Sequence, residues 1–76
     1  MADRNDRVPE NVAGRFYVDS TCIDCDLCRE KAPRNFARSD QDHRSYVFHQ
    51  PVDRAEEAAC LAALDECPVE AIGRDG

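Results

Sequence analysis

Residues 22–28 read CIDCDLC, which places Cys22, Cys25 and Cys28 at C-x2-C-x2-C spacing on one short loop. A fourth cysteine, Cys67, stands 39 residues beyond Cys28 and is followed directly by Pro68. Thiolates bind metals, and their spacing says what kind of object they hold. A zinc tetrahedron favours two separate C-x2-C hooks. Three crowded thiolates and one remote one suit a larger body, a cubane in which each sulfur takes a different iron. Proline disfavours helical angles at the residue before it, so Cys67 is expected to turn out of a helix end toward the loop.

The flanking sequence supplies a frame for such a loop. Upstream, RFYVDS (15–20) alternates, with Phe16 and Val18 on one face and Tyr17 and Asp19 on the other, the pattern of a short strand. Downstream, LCREKA (27–32) has room for a short helix before Pro33 stops it. NFARSDQDHRSYVFHQ (35–50) reads as a hairpin with arms at 35–38 and 45–49, and Tyr46 and Phe48 share a face of the second arm. PVDRAEEAACLAALDEC (51–67) predicts the main helix, with Asp53 as cap and Glu56 completing a capping-box-like start. Its stripe is Cys60, Leu61, Leu64 and Cys67. EAIGR (70–74) predicts a last strand. Strand, loop, helix and strand thus occur twice in weak duplication, and the fold class is a small α+β domain. Residues 1–14 carry charges, Pro9 and Gly14 but no apolar period, and read as a flexible N-terminal arm that leaves 15–76 as the domain.

The bulk properties agree. A chain of 76 residues makes one small domain whose core is marginal without a staple. Five cysteines are too many for chance at this length. No apolar stretch reaches the roughly 20 residues of a membrane helix, and the polar start MADRNDRVPENVAG has no secretory core. A cytoplasmic protein is therefore expected, and there cysteine clusters read as metal or redox sites. The formal charge of −6, from 16 acids and 10 bases, argues against a nucleic-acid partner. It suits a partner with a basic patch, or serves solubility alone. No substrate pocket or general base is legible, so no enzyme is expected.

On the four cysteines and the Cys67-Pro68 pair, residues 15–73 resemble the bacterial-type ferredoxins, specifically the kind with a single [4Fe-4S] cluster. The resemblance implies a small ferredoxin fold with two short antiparallel β-pairs and two helices around one cluster. It implies Cys22, Cys25, Cys28 and Cys67 as ligands, and a one-electron carrier that shuttles between redox proteins. The implied partners are a reductase donor and an oxygenase or other oxidoreductase acceptor, with basic docking surfaces and a monomeric carrier. Two-cluster relatives carry the run C-x2-C-x2-C-x3-C-P twice. Here Ala32-Pro33 replaces the first Cys-Pro, and the second run keeps only Cys60 where Glu57, Cys60 and Ala63 precede Cys67. One thiolate cannot hold a second cubane. Ala32 also removes a disulfide that single-cluster relatives often form near the lost site, which leaves Cys60 as a core residue or a spare thiol.

A structural zinc module that mediates protein contacts is the competing reading, and an iron–sulfur assembly or regulatory factor is a weaker third. His43 and His49 read as ordinary surface residues. The two loop acids stand where many relatives carry glycine. Aspartate tolerates left-handed backbone and bonds nearby main chain. Asp24 and Asp26 are therefore expected to hold the turn, with Asp26 capping the short helix and both pointing to solvent. With Asp19, Asp65, Glu66 and Glu70 they form the expected acidic rim beside the cluster.

Overall fold

The computed structural model describes residues 2–24, 26–41 and 43–76. In chain order the elements are β1 (Tyr17–Val18), α1 (Leu27–Lys31), β2 (Phe36–Ser39), β3 (Arg44–Val47), α2 (Arg54–Glu66) and β4 (Ile72–Gly73). The strands form two antiparallel pairs. β1 pairs with β4 in the register Tyr17↔Gly73 and Val18↔Ile72. β2 pairs with β3 in the register Phe36↔Val47, Ala37↔Tyr46, Arg38↔Ser45 and Ser39↔Arg44. The expected fold is therefore present: two β-pairs, two helices packed on each other, and a core of Phe16, Val18, Phe36, Val47, Cys60, Ala63, Ala71 and Ile72.

The helices start and stop as their sequences dictate. The Asp53 side chain accepts from the Glu56 N–H at 2.8 Å, which satisfies a donor that the first turn of α2 leaves open. Cys67 ends α2 with φ −67° and ψ 115°, the extended backbone that Pro68 favours. The buried stripe of α2 is narrower than expected. Cys60 and Ala63 are buried, while Leu61 and Leu64 are only partly covered. The small side chains of Cys60 and Ala63 share one core cluster with Ala32, and α1 packs on α2.

Three expectations change. Residues 2–14 are not a loose arm. A 3-10 turn spans Arg4–Asp6, Val8 is buried, and the Val8 N–H donates to the Val18 carbonyl at 2.9 Å. The Asn11 side chain bridges Val8, Val18 and Val47. This segment covers the second face of β1, so the expected in–out alternation is absent and Phe16, Tyr17, Val18 and Asp19 are all buried. The Tyr17 hydroxyl reaches Asp75 Oδ1 at 2.6 Å and the Ala2 carbonyl at 3.3 Å, tying both ends of the chain to the strand. Lastly, the hairpin buries the face of Ser45 and Val47, whereas Tyr46 is partly covered and Phe48 is 43% exposed. The register sets Val47, not an aromatic ring, against Phe36.

Candidate metal centre

The loop, the first turn of α1 and the end of α2 bring cysteines together from distant parts of the chain. Cys22 is half-buried at the start of the loop, Cys28 is buried on α1, and Cys67 is half-buried where α2 stops. All three line one narrow cavity, walled by Val18, Leu27, Val69, Ala71 and Ile72. Cys25, the remaining expected ligand, lies outside the described residues. Among the described residues no three His, Cys, Asp or Glu side chains close on a single-ion site.

Backbone N–H groups point at two of the sulfurs. Asp24 N and Ser45 N each approach Cys22 Sγ at 3.5 Å, and Ala71 N approaches Cys67 Sγ at 3.2 Å. Such donors favour the negative form of sulfur. Asp24 lies within the cysteine loop, whereas Ser45 and Ala71 come from outside it. A backbone donor leaves no side-chain signal in the sequence; only the hairpin register and the turn after Pro68 place these two. Clustered soft donors, an apolar wall and N–H groups aimed at sulfur fit an iron–sulfur cluster, whose potential responds to such hydrogen bonds.

The loop acids adopt the backbone that the sequence implied. Asp24 has φ 58° and Asp26 has φ 74°, both in the left-handed region. Their side chains depart from the expectation. Asp26 occupies the cap position of α1 but makes no side-chain cap bond. Capping needs extended backbone there, and the carboxylate instead meets Arg29 Nε at 2.6 Å. Asp24 does not point freely to solvent. Arg29 Nη1 holds it at 2.9 Å and Arg38 Nε at 3.0 Å. The Arg38 hydrogen bond foremost keeps the Asp24 carboxyl below the usual carboxylate range; desolvation opposes it, and Arg29 adds to the lowering.

The acidic rim is correspondingly smaller than expected. Asp19 is buried and accepts from the Asp3 N–H at 3.1 Å and the Thr21 N–H at 3.0 Å. Glu66 pairs with Lys31 at 3.2 Å. Asp65, Glu66 and Glu70 remain exposed around Cys67. Cys60 does not line the cavity. It is fully buried, and burial first, then Glu56 and Glu57, push its thiol up to about 11. His43 Nδ1 accepts from Arg38 Nη2 at 2.8 Å, and His49 lies 3.8 Å from Glu56; neither lines the cavity.

Comparison with known proteins agrees with this geometry. Residues 18–74 match the family described as the 4Fe-4S single cluster domain of ferredoxin I. The chain is 39% identical over 62 residues to ferredoxin-1 of Desulfocurvibacter africanus, covering 80% of this chain and 92% of that protein. Among solved structures it is similar to ferredoxin I from Desulfovibrio africanus, with a TM-score of 0.65 and 39% identity over 79% of this chain and 92% of the other.

Proposed function

The chain belongs to the family of 4Fe-4S single-cluster ferredoxin domains, which are electron-transfer proteins and not enzymes, and from that premise we propose that it binds one [4Fe-4S] cluster through Cys22, Cys25, Cys28 and Cys67 and shuttles single electrons between redox proteins. The observation that carries the reading is the convergence of Cys22, Cys28 and Cys67 on one apolar cavity with N–H groups aimed at two of the sulfurs. The bound cluster supplies a one-electron couple. The chain's own work is to hold it, exclude water with Val18, Leu27 and Ile72, and offer fixed dipoles to the sulfurs.

Support for a single cluster comes from the other half of the duplication. Ala32, Cys60 and Ala63 stand where further ligands belong, and all three are packed into the core. The partners in this reading are a reductase that supplies the electron and an oxygenase or other oxidoreductase that receives it, with the carrier acting as a monomer. Asp65, Glu66 and Glu70 offer a negative surface beside Cys67, which suits a basic docking face and raises the encounter rate at low salt. Among the described residues no helix is long and apolar enough to cross a membrane.

The test is anaerobic reconstitution followed by iron and sulfide counting and electron paramagnetic resonance in both redox states. The expected result is four irons and four sulfides per chain, with a signal that appears on one-electron reduction. A colourless protein with stoichiometric zinc and no such signal refutes the reading.

A further inference from the structure

The acid inside the cysteine loop is the least expected feature of the site, and its surroundings give it a role. Asp24 sits between two arginines from different elements, Arg29 on α1 and Arg38 on β2. Its own N–H donates to Cys22 Sγ. The N–H of Ser45 donates to the same sulfur. Ser45 is the cross-strand partner of Arg38 in the hairpin register. One salt bridge therefore connects the two backbone segments that donate to the same sulfur. The hairpin holds the loop by charge through Arg38 and by N–H···S contact through Ser45, on adjacent positions of paired strands.

We propose that Asp24 and Arg38 form a positioning clamp that keeps both N–H donors on the Cys22 sulfur and cancels the charge that a loop carboxylate sets against an added electron. This rests on the proposed cluster site and assigns two residues that set its redox poise. Around the clamp two arginines face three carboxylates. Arg29 faces Asp24 and Asp26, while Arg38 faces Asp24, Asp40 and the ring of His43. The Asp40 side chain is 95% exposed, so solvent and salt screen it. The Asp24 and Arg29 side chains are 23% and 14% exposed, so they are felt more strongly at the cavity. Neutralising one side of the pair thus unmasks the other.

The experiment is a double-mutant cycle on the cluster-loaded full chain with Asp24→Asn, Arg38→Gln and the combination. It reads midpoint potential by voltammetry and the rate of cluster loss to a chelator. Arg38→Gln is expected to move the potential negative, because Asp24 loses a counter-charge and the Ser45 donor loses its tether. Asp24→Asn is expected to move it positive, because the carboxylate nearest the cavity is removed while Arg29 and Arg38 remain. The double variant is expected to lie closer to the parent than either single does. A purely structural role speeds cluster loss in all three without shifts of opposite sign. If Arg38→Gln fails to load, Arg38→Lys keeps the charge without the fork and is expected to hold the parent potential while losing cluster faster. Equal potentials across the loaded set, or shifts of one sign in both singles, overturn the clamp. A parent chain that loads no iron and sulfide overturns the proposed function instead.

Discussion

Asn11 offers the sharpest test of how the fold supports the site. Its side chain donates through Nδ2 to the Val8 carbonyl at 2.9 Å and the Val18 carbonyl at 2.8 Å, and accepts through Oδ1 from Val18 N at 3.2 Å and Val47 N at 2.8 Å. One amide thus ties the N-terminal segment, β1 and β3. Truncation to alanine does not affect all four groups equally. Each carbonyl keeps a second partner: Val8 O retains the Asn11 N–H, and Val18 O retains the Val8 N–H. The Val18 and Val47 N–H groups lose the acceptor they share. Leaving a buried donor unpaired costs about 1–3 kcal/mol, with the low end applying where water can enter. Two such donors at a half-buried site give a loss of about 3 kcal/mol. For a domain of this size 1 kcal/mol moves the midpoint of thermal unfolding by about 4–8 °C, so Asn11→Ala is expected to lower it by about 12–24 °C.

The assay heats cluster-loaded protein anaerobically and follows visible absorbance together with far-UV circular dichroism. Cluster loss makes unfolding irreversible, so variants are compared at one scan rate. Asn11→Asp is the informative partner. It keeps an acceptor for Val18 N and Val47 N and removes only the donors to carbonyls that have another partner. Its loss is expected to be under half that of the alanine variant. Equal losses for the two, or a drop under about 4 °C for Asn11→Ala, refute the reasoning and leave residues 2–14 without this tie to the domain.

Other consequences are equally concrete. Cys67→Ala and Cys28→Ala each remove a proposed ligand and are expected to yield chain with almost no bound iron and weakened far-UV signal, because metal binding is coupled to folding; a well-folded apo form with intact circular dichroism contradicts that coupling. Gly73→Ala places a Cβ against the Tyr17 ring and hydroxyl, which are buried and fixed by Asp75. It is expected to destabilise by about 1–3 kcal/mol through overpacking, and unchanged denaturant unfolding argues that β1 and β4 can separate freely. Cys60 has its thiol raised from the ordinary 9.0 to about 11. The folded chain therefore keeps a proton that the unfolded chain releases above pH 9, so this contribution to stability is full below about pH 9 and is lost as pH rises toward 11. Cys60→Ala is expected to flatten the fall of stability across that window; an unchanged slope shows that Cys60 does not cause it.

The sequence carried most of the fold because its strongest signals are local. Asp53 and Glu56 mark the start of α2, Pro68 marks its end, and Pro33 limits α1. The four cysteines are equally local in kind: spacing on one loop, plus one residue before proline. What stayed illegible depends on two segments meeting. The strand pattern of residues 15–20 assumes one wet face, yet residues 2–14 cover that face, and nothing periodic in them announces it. Asn11 is an ordinary polar residue in sequence and a four-way bridge in the fold. In the hairpin, Tyr46 and Phe48 draw attention by hydrophobicity, but the pairing of Phe36 with Val47 selects the opposite face. Phase along a strand is set by its partner, and a single sequence does not print the partner.

The two loop acids show how the same limit acts on electrostatics. Their local conformation follows from residue type: aspartate is among the few residues that accept left-handed backbone, and both adopt it. Their charge does not follow from residue type. A reading of residues 22–28 alone makes Asp24 an anion facing the sulfurs or the solvent, and in either case a force against reduction. In the fold Arg29 reaches back from α1, five residues along the chain, and Arg38 reaches across from β2, fourteen residues along. Arg29 also takes Asp26, its i−3 neighbour on the chain, and that spacing is visible in the sequence. Arg38 is reached only through the hairpin, whose register also brings the Ser45 N–H to Cys22. A glycine in the loop permits the same turn but gives the hairpin nothing to hold. Aspartate makes the turn and supplies an anchor, and the arginine that uses the anchor removes the charge the anchor introduced.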